Sequence, residues 1–438
     1  MGAVRPFFLT LFLGITSSAL AYPLYSPRPV PSAIAGPTDP HVAAVFYNPA
    51  ALGPLRGYHF YLDGGARLQF GSIRLEGSSE SVSAFAPSFD GFFGASWDLA
   101  NDYVTAAVAI YSPLNEFPNF GVGPTRYHQI FSRFAMLEET LAVAVRLISQ
   151  RLYVGVGVNI AEVWLDSSFA RAMEPAKGED TIRLRGFNKG PGFSLGILAA
   201  PIPKLWIGAS FSSHIFSQSG NDIWLNDVGH ASVQVAGNDP IAINDVVVLA
   251  TPELFQAAAR GEIHPRVELE AAMRYVHYRA RPHALDVTLT GNGIPPPTQF
   301  AIDLGLQDTF AVEASGRFRI AKSLRLSPSF VYESSAVQAD HVSAAALGAD
   351  KFDVTLTAEW TPVTHLRLGA HVGAVATTLG RVNSAYKPGA QAECYKAFYD
   401  LQNPYCQQVV AGDALPSADG NYSIWMLHFG ASIAADFW

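Results

Sequence analysis

Charge is scarce in this chain of 438 residues: Asp, Glu, Lys and Arg together make up 15%, where a water-soluble protein of this size carries about 25%. That shortage excludes an ordinary hydrated surface over most of the molecule. Long apolar runs are lacking too. The first 21 residues, with Arg5, an apolar core from Phe7 to Ile15 and small residues at Ala19 and Ala21, have the pattern of an export signal cleaved after Ala21. Beyond them no stretch reaches the roughly 18 unbroken apolar residues of a transmembrane helix. Basic runs are missing, and the net charge of -8 is spread out, which argues against nucleic acid as a partner. There are two cysteines, Cys394 and Cys406, close together in a polar stretch of an exported chain. A disulfide closing that loop is expected, because a structural zinc site would need two more Cys or His at motif spacing and the segment holds no His.

Metalloprotease and phosphate-loop signatures are also missing. HExxH and the phosphate loop do not occur, and GxSxG occurs once, at Gly192–Gly196, inside the alternating segment 186–200 with no strand-to-helix turn after it; no enzyme, metal or cofactor is expected. GVGVN at Gly155 is a near miss to the dinucleotide fingerprint, but it lies in an alternating segment with no helix after it. Its glycines are expected to allow close strand packing.

What is abundant is two-residue alternation. In VELEAAMRYVHY, residues 267–278, Val267, Leu269, Ala271, Met273 and Tyr275 share one face, and Glu268, Glu270 and Arg274 the other. In FAVEASGRFRI, Phe310, Val312, Ala314, Gly316, Phe318 and Ile320 oppose Glu313, Ser315, Arg317 and Arg319. Later segments agree, with Leu324, Leu326 and Phe330 against Arg325, and Leu366, Leu368, Ala370 and Val372 against Arg367 and His371. Such a pattern fits either a soluble sandwich or a membrane barrel with its apolar face on lipid.

Loop spacing separates the two. The pattern predicts about fourteen strands near 57–71, 81–98, 102–112, 131–147, 151–169, 186–200, 204–218, 243–260, 264–285, 299–320, 323–338, 350–361, 364–380 and 422–437. Short turns then alternate with long polar loops, the arrangement of an antiparallel outer-membrane β-barrel with both termini on the periplasmic side. A sandwich has no reason to sort its loops in this way. In the last strand, YSIWMLHFGASIAADFW, the apolar face runs from Trp425 to Phe437 and leaves Trp438 one residue out of phase.

Ahead of the first strand, a Pro/Gly-rich segment reads AGPTDPHVAAVFYNPAAL from Ala35. With TPELFQAAARGEIHPRVELEAAMRYVHY and GVGVNIAEVWLDSSF downstream, it resembles the long-chain fatty-acid outer-membrane transporter family and its aromatic-hydrocarbon relatives. In that family an Ala/Gly-rich run, an Asp and Asn-Pro-Ala introduce the barrel; here these are Ala35, Gly36, Asp39, Asn48, Pro49 and Ala50. The resemblance implies a plug (hatch) over residues 22–56, a barrel over 57–438, capture outside, binding in an apolar lumenal pocket, plug movement and sideways release. It implies a Gram-negative outer membrane with its lipid and lipopolysaccharide, passive uptake of a hydrophobic small molecule, and a monomer.

Several residues carry two readings. Asn48-Pro49-Ala50 is either the gate of the plug or a plain turn starter, since Asn caps turns and Pro lacks an N–H. Ser112-Pro113 either kinks the third strand, which in the family bends inward and opens the wall, or merely ends it. Phe117, Phe120, Phe216 and Trp224, in two long loops, form either a capture groove or a membrane girdle. Arg266, Arg274, Arg317, Arg325 and Arg367 on the polar face either grip a substrate carboxylate or brace the wall against Glu268, Glu270, Glu313, Glu333 and Asp353. Two alternatives to transport are an adhesin or receptor scaffold using the 381–421 loop, and a lipid-degrading outer-membrane enzyme. Fatty acid, alkane and aromatic hydrocarbon all suit the same apolar pocket.

Overall fold

The structure is a computed structural model that describes residues 36–99, 103–117, 119–121, 123–172, 179–213, 228–234, 241–245, 252–278, 284–288, 299–303, 305–344, 346–383 and 418–437. The stretch expected to be an export signal, Phe216, Trp224, Cys394 and Cys406 lie outside the described residues.

Fourteen antiparallel strands form the wall. They are β1 Tyr58–Leu75, β2 Val82–Asp98, β3 Val104–Glu116, β4 Phe131–Ile148, β5 Leu152–Ala172, β6 Glu179–Ile202 and β7 Leu205–Ser212. The second half comprises β8 Glu253–His264, β9 Val267–His277, β10 Thr309–Arg319, β11 Leu324–Glu333, β12 Lys351–Val363, β13 Leu366–Thr377 and β14 Gly420–Phe437. Each pairs with its neighbours in chain order, and β1 pairs with β14 from Tyr58↔Phe437 to Leu75↔Gly420, which closes the ring. Closure leaves no sheet edge to hydrocarbon along that seam. Among the described residues no helix is long and apolar enough to cross a membrane.

The side chains are distributed inside out. Met273 is 58% exposed while its neighbour Arg274 is 5% exposed. Phe310, Phe330, Val372, Trp425 and Phe437 face outward, and Asp63, Glu138, Lys351, Glu359, His371 and Asp436 are buried inside the ring. Strict alternation is what permits this, because a one-residue slip would turn every charge to lipid.

Where the wall departs from the predicted spans, the cause is an extended segment that is not wall. The predicted strands 264–285 and 299–320 are shorter, because Ala284–Thr288 pairs with Gln299–Asp303 in a separate two-stranded sheet. Between that sheet and β10, Gly305 takes a φ of 56° and Leu306 is buried in a bridge to Val337. Likewise Ile241–Asp245, placed in a predicted wall strand over 243–260, pairs with Val228–Gln234, which extends the sheet from β6. Period two marks extended chain and cannot say which sheet it joins.

Candidate functional site

Residues 36–56 lie within the ring. They touch β1 through His41 and Tyr61, β3 through Phe46 and Tyr111, β6 through Asn48, β7 through Ser210, β8 through Gln256 and β10 through Asp39. Only a segment threaded through the lumen can meet strands so far apart around the wall. A single helical turn, α1 Ala44–Tyr47, stops at Asn48, whose extended backbone (φ −168°) breaks the helix. The Asn48 side chain then caps the 3₁₀ turn Pro49–Leu52 by accepting from Ala50 N at 3.1 Å, with Pro49 at the first helical position where its missing N–H costs nothing. Its amide donates to Pro37 O at 2.8 Å and to Ile197 O on β6 at 3.0 Å. Asn48 is fully buried, and these bonds offset the desolvation of its amide. The Tyr47 carbonyl accepts from Ser210 Oγ at 2.5 Å and from Gln256 Nε2 at 3.1 Å.

Three glycines make the seat. Gly155 and Gly196 face each other in the β5–β6 ladder, and Gly208 follows on β7. A Cβ at Gly155 would fall on Ala50 N and the Pro49 carbonyl carbon, one at Gly196 on Asn48 Oδ1, and one at Gly208 would meet Pro37 O at 2.5 Å. The bare backbone of these strands lets Asn-Pro-Ala approach the wall at van der Waals range.

A charged cluster holds the start of the segment. Arg317 on β10 donates to Asp39 Oδ1 at 2.8 Å, and Arg260 on β8 lies 3.6 Å from the same oxygen. Glu268 on β9 stands 3.3 Å from Arg260 and 3.6 Å from Arg317. Thr38 Oγ1 donates to Glu270 Oε2 at 2.5 Å, and Arg260 donates to the Thr38 carbonyl at 3.1 Å. Burial pushes the Asp39 carboxyl up, but Arg317 and Arg260 outweigh it and hold the group below its ordinary value of 3.8.

His41 behaves differently. Burial lowers its pKa from 6.5 to about 4, against the pull of Asp39, and its Nδ1 accepts from Ala43 N at 3.1 Å, which requires that nitrogen unprotonated. A group whose seated pKa is depressed stabilises the seat fully above 6.5 and loses that contribution as pH falls toward 4, because the released segment takes up a proton that the seated one refuses. The slope is at most about tenfold per pH unit. Asp39 keeps its contribution through this window and loses it only below its ordinary value. Acidification from pH 7 to 5 is therefore expected to raise open probability in planar bilayers, and His41→Asn, which keeps an acceptor for Ala43 N–H, to flatten the response.

Next to α1 the wall itself breaks. The β2–β3 ladder runs from Asp98↔Thr105 to Phe92↔Tyr111 and stops, and residues 82–91 of β2 ladder only with β1. On the other edge of β3 the register with β4 shifts between Tyr111 and Leu114, so Ser112 and Pro113 oppose the single residue Leu137. The remaining register shifts in the wall fall beside short turns, whereas this one lies well inside a strand. At the last rung, Phe92 stacks on Tyr111 at 5.5 Å, Phe46 meets Tyr111 at 5.7 Å, Tyr61 meets Phe92 at 5.7 Å and His41 meets Tyr61 at 4.2 Å. Outside the same stretch, Phe85, Phe89, Phe93 and Ile110 are exposed on the outer face of the ring. Aromatic surface thus runs from the seated segment to the break and beyond it.

The predicted residues are distributed as follows. Asn48, Pro49 and Ala50 meet Gly155, Gly196 and Gly208, and Ser112 and Pro113 form the bulge. Phe120 is buried and Phe117 half-buried. Arg317 pairs with Asp39 and Glu268, Arg325 with Glu359 at 3.1 Å, and Arg367 with Asp436 at 3.2 Å; Arg274 is buried on the lumen face. Arg266 corrects the expectation of a lumenal side chain. It is exposed in the two-residue turn between β8 and β9, because β8 runs to His264 and moves the turn past the predicted 261–263. The reading of the sequence missed Arg260, Glu270 as a partner of the N-terminal segment, and the seat glycines. The glycine-rich spacing was visible, but its partners, Pro37, Asn48, Pro49 and Ala50, lie far away in sequence.

No protein-family model matches the sequence, and no curated sequence matches it. Among solved structures, a Pseudomonas aeruginosa FadL homologue superposes with a TM-score of 0.74 at 12% identity, covering 97% of this chain and 100% of that one. The Ralstonia pickettii toluene transporter TbuX gives 0.66 at 13%, covering 95% and 99%, and the P. putida toluene transporter TodX 0.65 at 12%, covering 94% and 99%. The chain has the fold of the FadL-type and toluene-transporter barrels.

Proposed function

We propose that this chain is an outer-membrane transporter for passive uptake of hydrophobic small molecules, long-chain fatty acids or hydrocarbons among them, with lateral release through the wall. The observation that carries the reading is the break between β2 and β3, lined by Phe92 and Tyr111 within and by Phe89, Phe93 and Ile110 without. An apolar solute meets a hydrated lipopolysaccharide layer outside the cell, and protein must supply a dry route past it. The aromatic path beside Phe46 does so and ends in hydrocarbon, so the solute need never re-enter water. Residues 22–56 act as the plug, Asn48-Pro49-Ala50 as its gate, and the bulge at Ser112-Pro113 as the reason the wall parts. The FadL homologue and the toluene transporters of like fold support this reading. Phe117, Phe120, Phe216 and Trp224 remain the capture candidates, and Cys394 and Cys406 the candidate bridge of the last long loop. The arginines with carboxylate partners brace the lumen. The chain is read as an exported monomer that does no chemistry on its cargo.

Uptake of labelled oleate and of labelled toluene by cells expressing the barrel, against cells lacking it, tests the proposal. Faster entry of either is the expected result. Equal rates for both labels would dispose of transport.

A further inference from the structure

We infer that Asn115 is the bolt of the wall opening: its side chain, through Ser112, stitches β2 to β4 across the bulge of β3, and this stitch is what each passing molecule must undo. The inference rests on the lateral release proposed above.

An unladdered strand edge inside a membrane needs hydrogen-bond partners, since hydrocarbon supplies none. Pro113 has no N–H, and the bulge carries β3 out of step with its neighbours, so the backbone cannot serve this edge. Side chains do so instead. Asn115 Nδ2 donates to the Phe89 carbonyl on β2 at 2.7 Å and to Ser112 Oγ, and Ser112 Oγ donates to the Met136 carbonyl on β4 at 2.7 Å. Met136 is the residue paired with Leu114 just past the bulge. The relay thus spans three strands where a continuous sheet would have two ladders. Asn115 is 9% exposed, so no bulk water competes for its amide. Farther out, the loop after β3 returns over the same edge, where a Cβ at Gly123 would meet Val82 Cγ2 at 2.7 Å.

A ladder opens only by unzipping several rungs together, whereas a side-chain stitch opens by one rotamer change of Asn115. That difference makes this stretch of wall a gate and leaves the rest a wall.

The test uses Asn115→Ala, Asn115→Leu, Ser112→Ala and the double variant Ser112→Ala/Asn115→Ala, each confirmed as folded by its heat-modifiable migration. Leu matches Asn in size and branching and has neither a donor nor a charge, so a packing role leaves Asn115→Leu like the wild type, and a bolt makes it resemble Asn115→Ala. Transfer of cis-parinaric acid into the bilayer of dioleoylphosphatidylcholine vesicles holding the full-length barrel is expected to quicken about fivefold in both Asn115 variants, the equilibrium equivalent of one net hydrogen bond. The double variant is expected to match Asn115→Ala, since the relay acts as one unit. Hydrogen-exchange mass spectrometry is expected to show faster exchange over residues 112–117, with 104–110 unchanged. Unchanged exchange in both Asn115 variants, or an Asn115→Leu that transfers the probe at the wild-type rate, overturns the bolt while leaving transport standing. Faster exchange in a barrel whose wild type transfers no more probe than empty vesicles removes the transport reading and the gate role with it.

Discussion

Asp39→Ala is expected to leave the barrel standing open. The substitution strips the carboxylate from the buried contacts with Arg317 and Arg260, and removing one partner of a buried ion pair costs about 3–5 kcal/mol because the other charge stays behind. Glu268, within 3.6 Å of both guanidiniums, softens the loss, so the lower end applies. About 3 kcal/mol is roughly a hundredfold shift toward the unseated segment. Planar-bilayer recordings should show a matching rise in open probability, and cells should admit vancomycin faster than cells carrying the unaltered barrel. Asp39→Asn, which keeps an acceptor for Arg317 without the charge, should fall between the two. A closed Asp39→Ala barrel would mean that the ion cluster does not hold the segment.

The second large effect comes from adding two methyl groups and a Cβ to the wall. Gly155→Val suits a strand, since β-branched residues favour extended backbone, and the ring itself should be as stable as before. Yet a Cβ at this position falls on Ala50 N and on the Pro49 carbonyl carbon, which are backbone atoms with no rotamer to escape into. Overpacking costs typically about 1–3 kcal/mol even where neighbours can yield. The expected outcome is a barrel of unchanged melting temperature and raised conductance, in which a further Asp39→Ala adds little, because both variants act on the same seat. Gly64→Ala is the control: a Cβ there meets no atom within 4 Å. If Gly155→Val conducts like Gly64→Ala, the seat lies elsewhere.

How much of this was legible in the chain can be judged from a few residues. The outward row of Leu269, Met273 and Tyr275 against buried Arg274 followed from alternation, a local property that a window of ten residues displays in full. The number of wall strands followed from the same signal combined with the parity of the connections. Gln299–Asp303 alternates like wall, and what sets it apart is its pairing partner Ala284–Thr288, which periodicity cannot name. Asn48 was legible as a cap, since Asn-Pro acts on its own neighbours. Its donation to Ile197 O across 149 positions was not. Gly155 was read as easing strand packing, and it proved to clear space for Pro49, whose approach no strand pattern encodes. Asn115 carried no signal at all, being one polar residue in a strand end; its meaning comes from the carbonyl of Phe89 that the bulge leaves unserved.

Asp39 and Arg317 are 278 residues apart in sequence, and Arg260 and Arg317 stand on β8 and β10, in the second half of the ring. The clasp on residues 36–56 therefore needs both halves of the ring at once, whereas each hairpin needs only its own two strands. Contacts of such long sequence separation carry the largest loop-closure entropy in the fold, so the clasp belongs among the last contacts to form and the first to be lost.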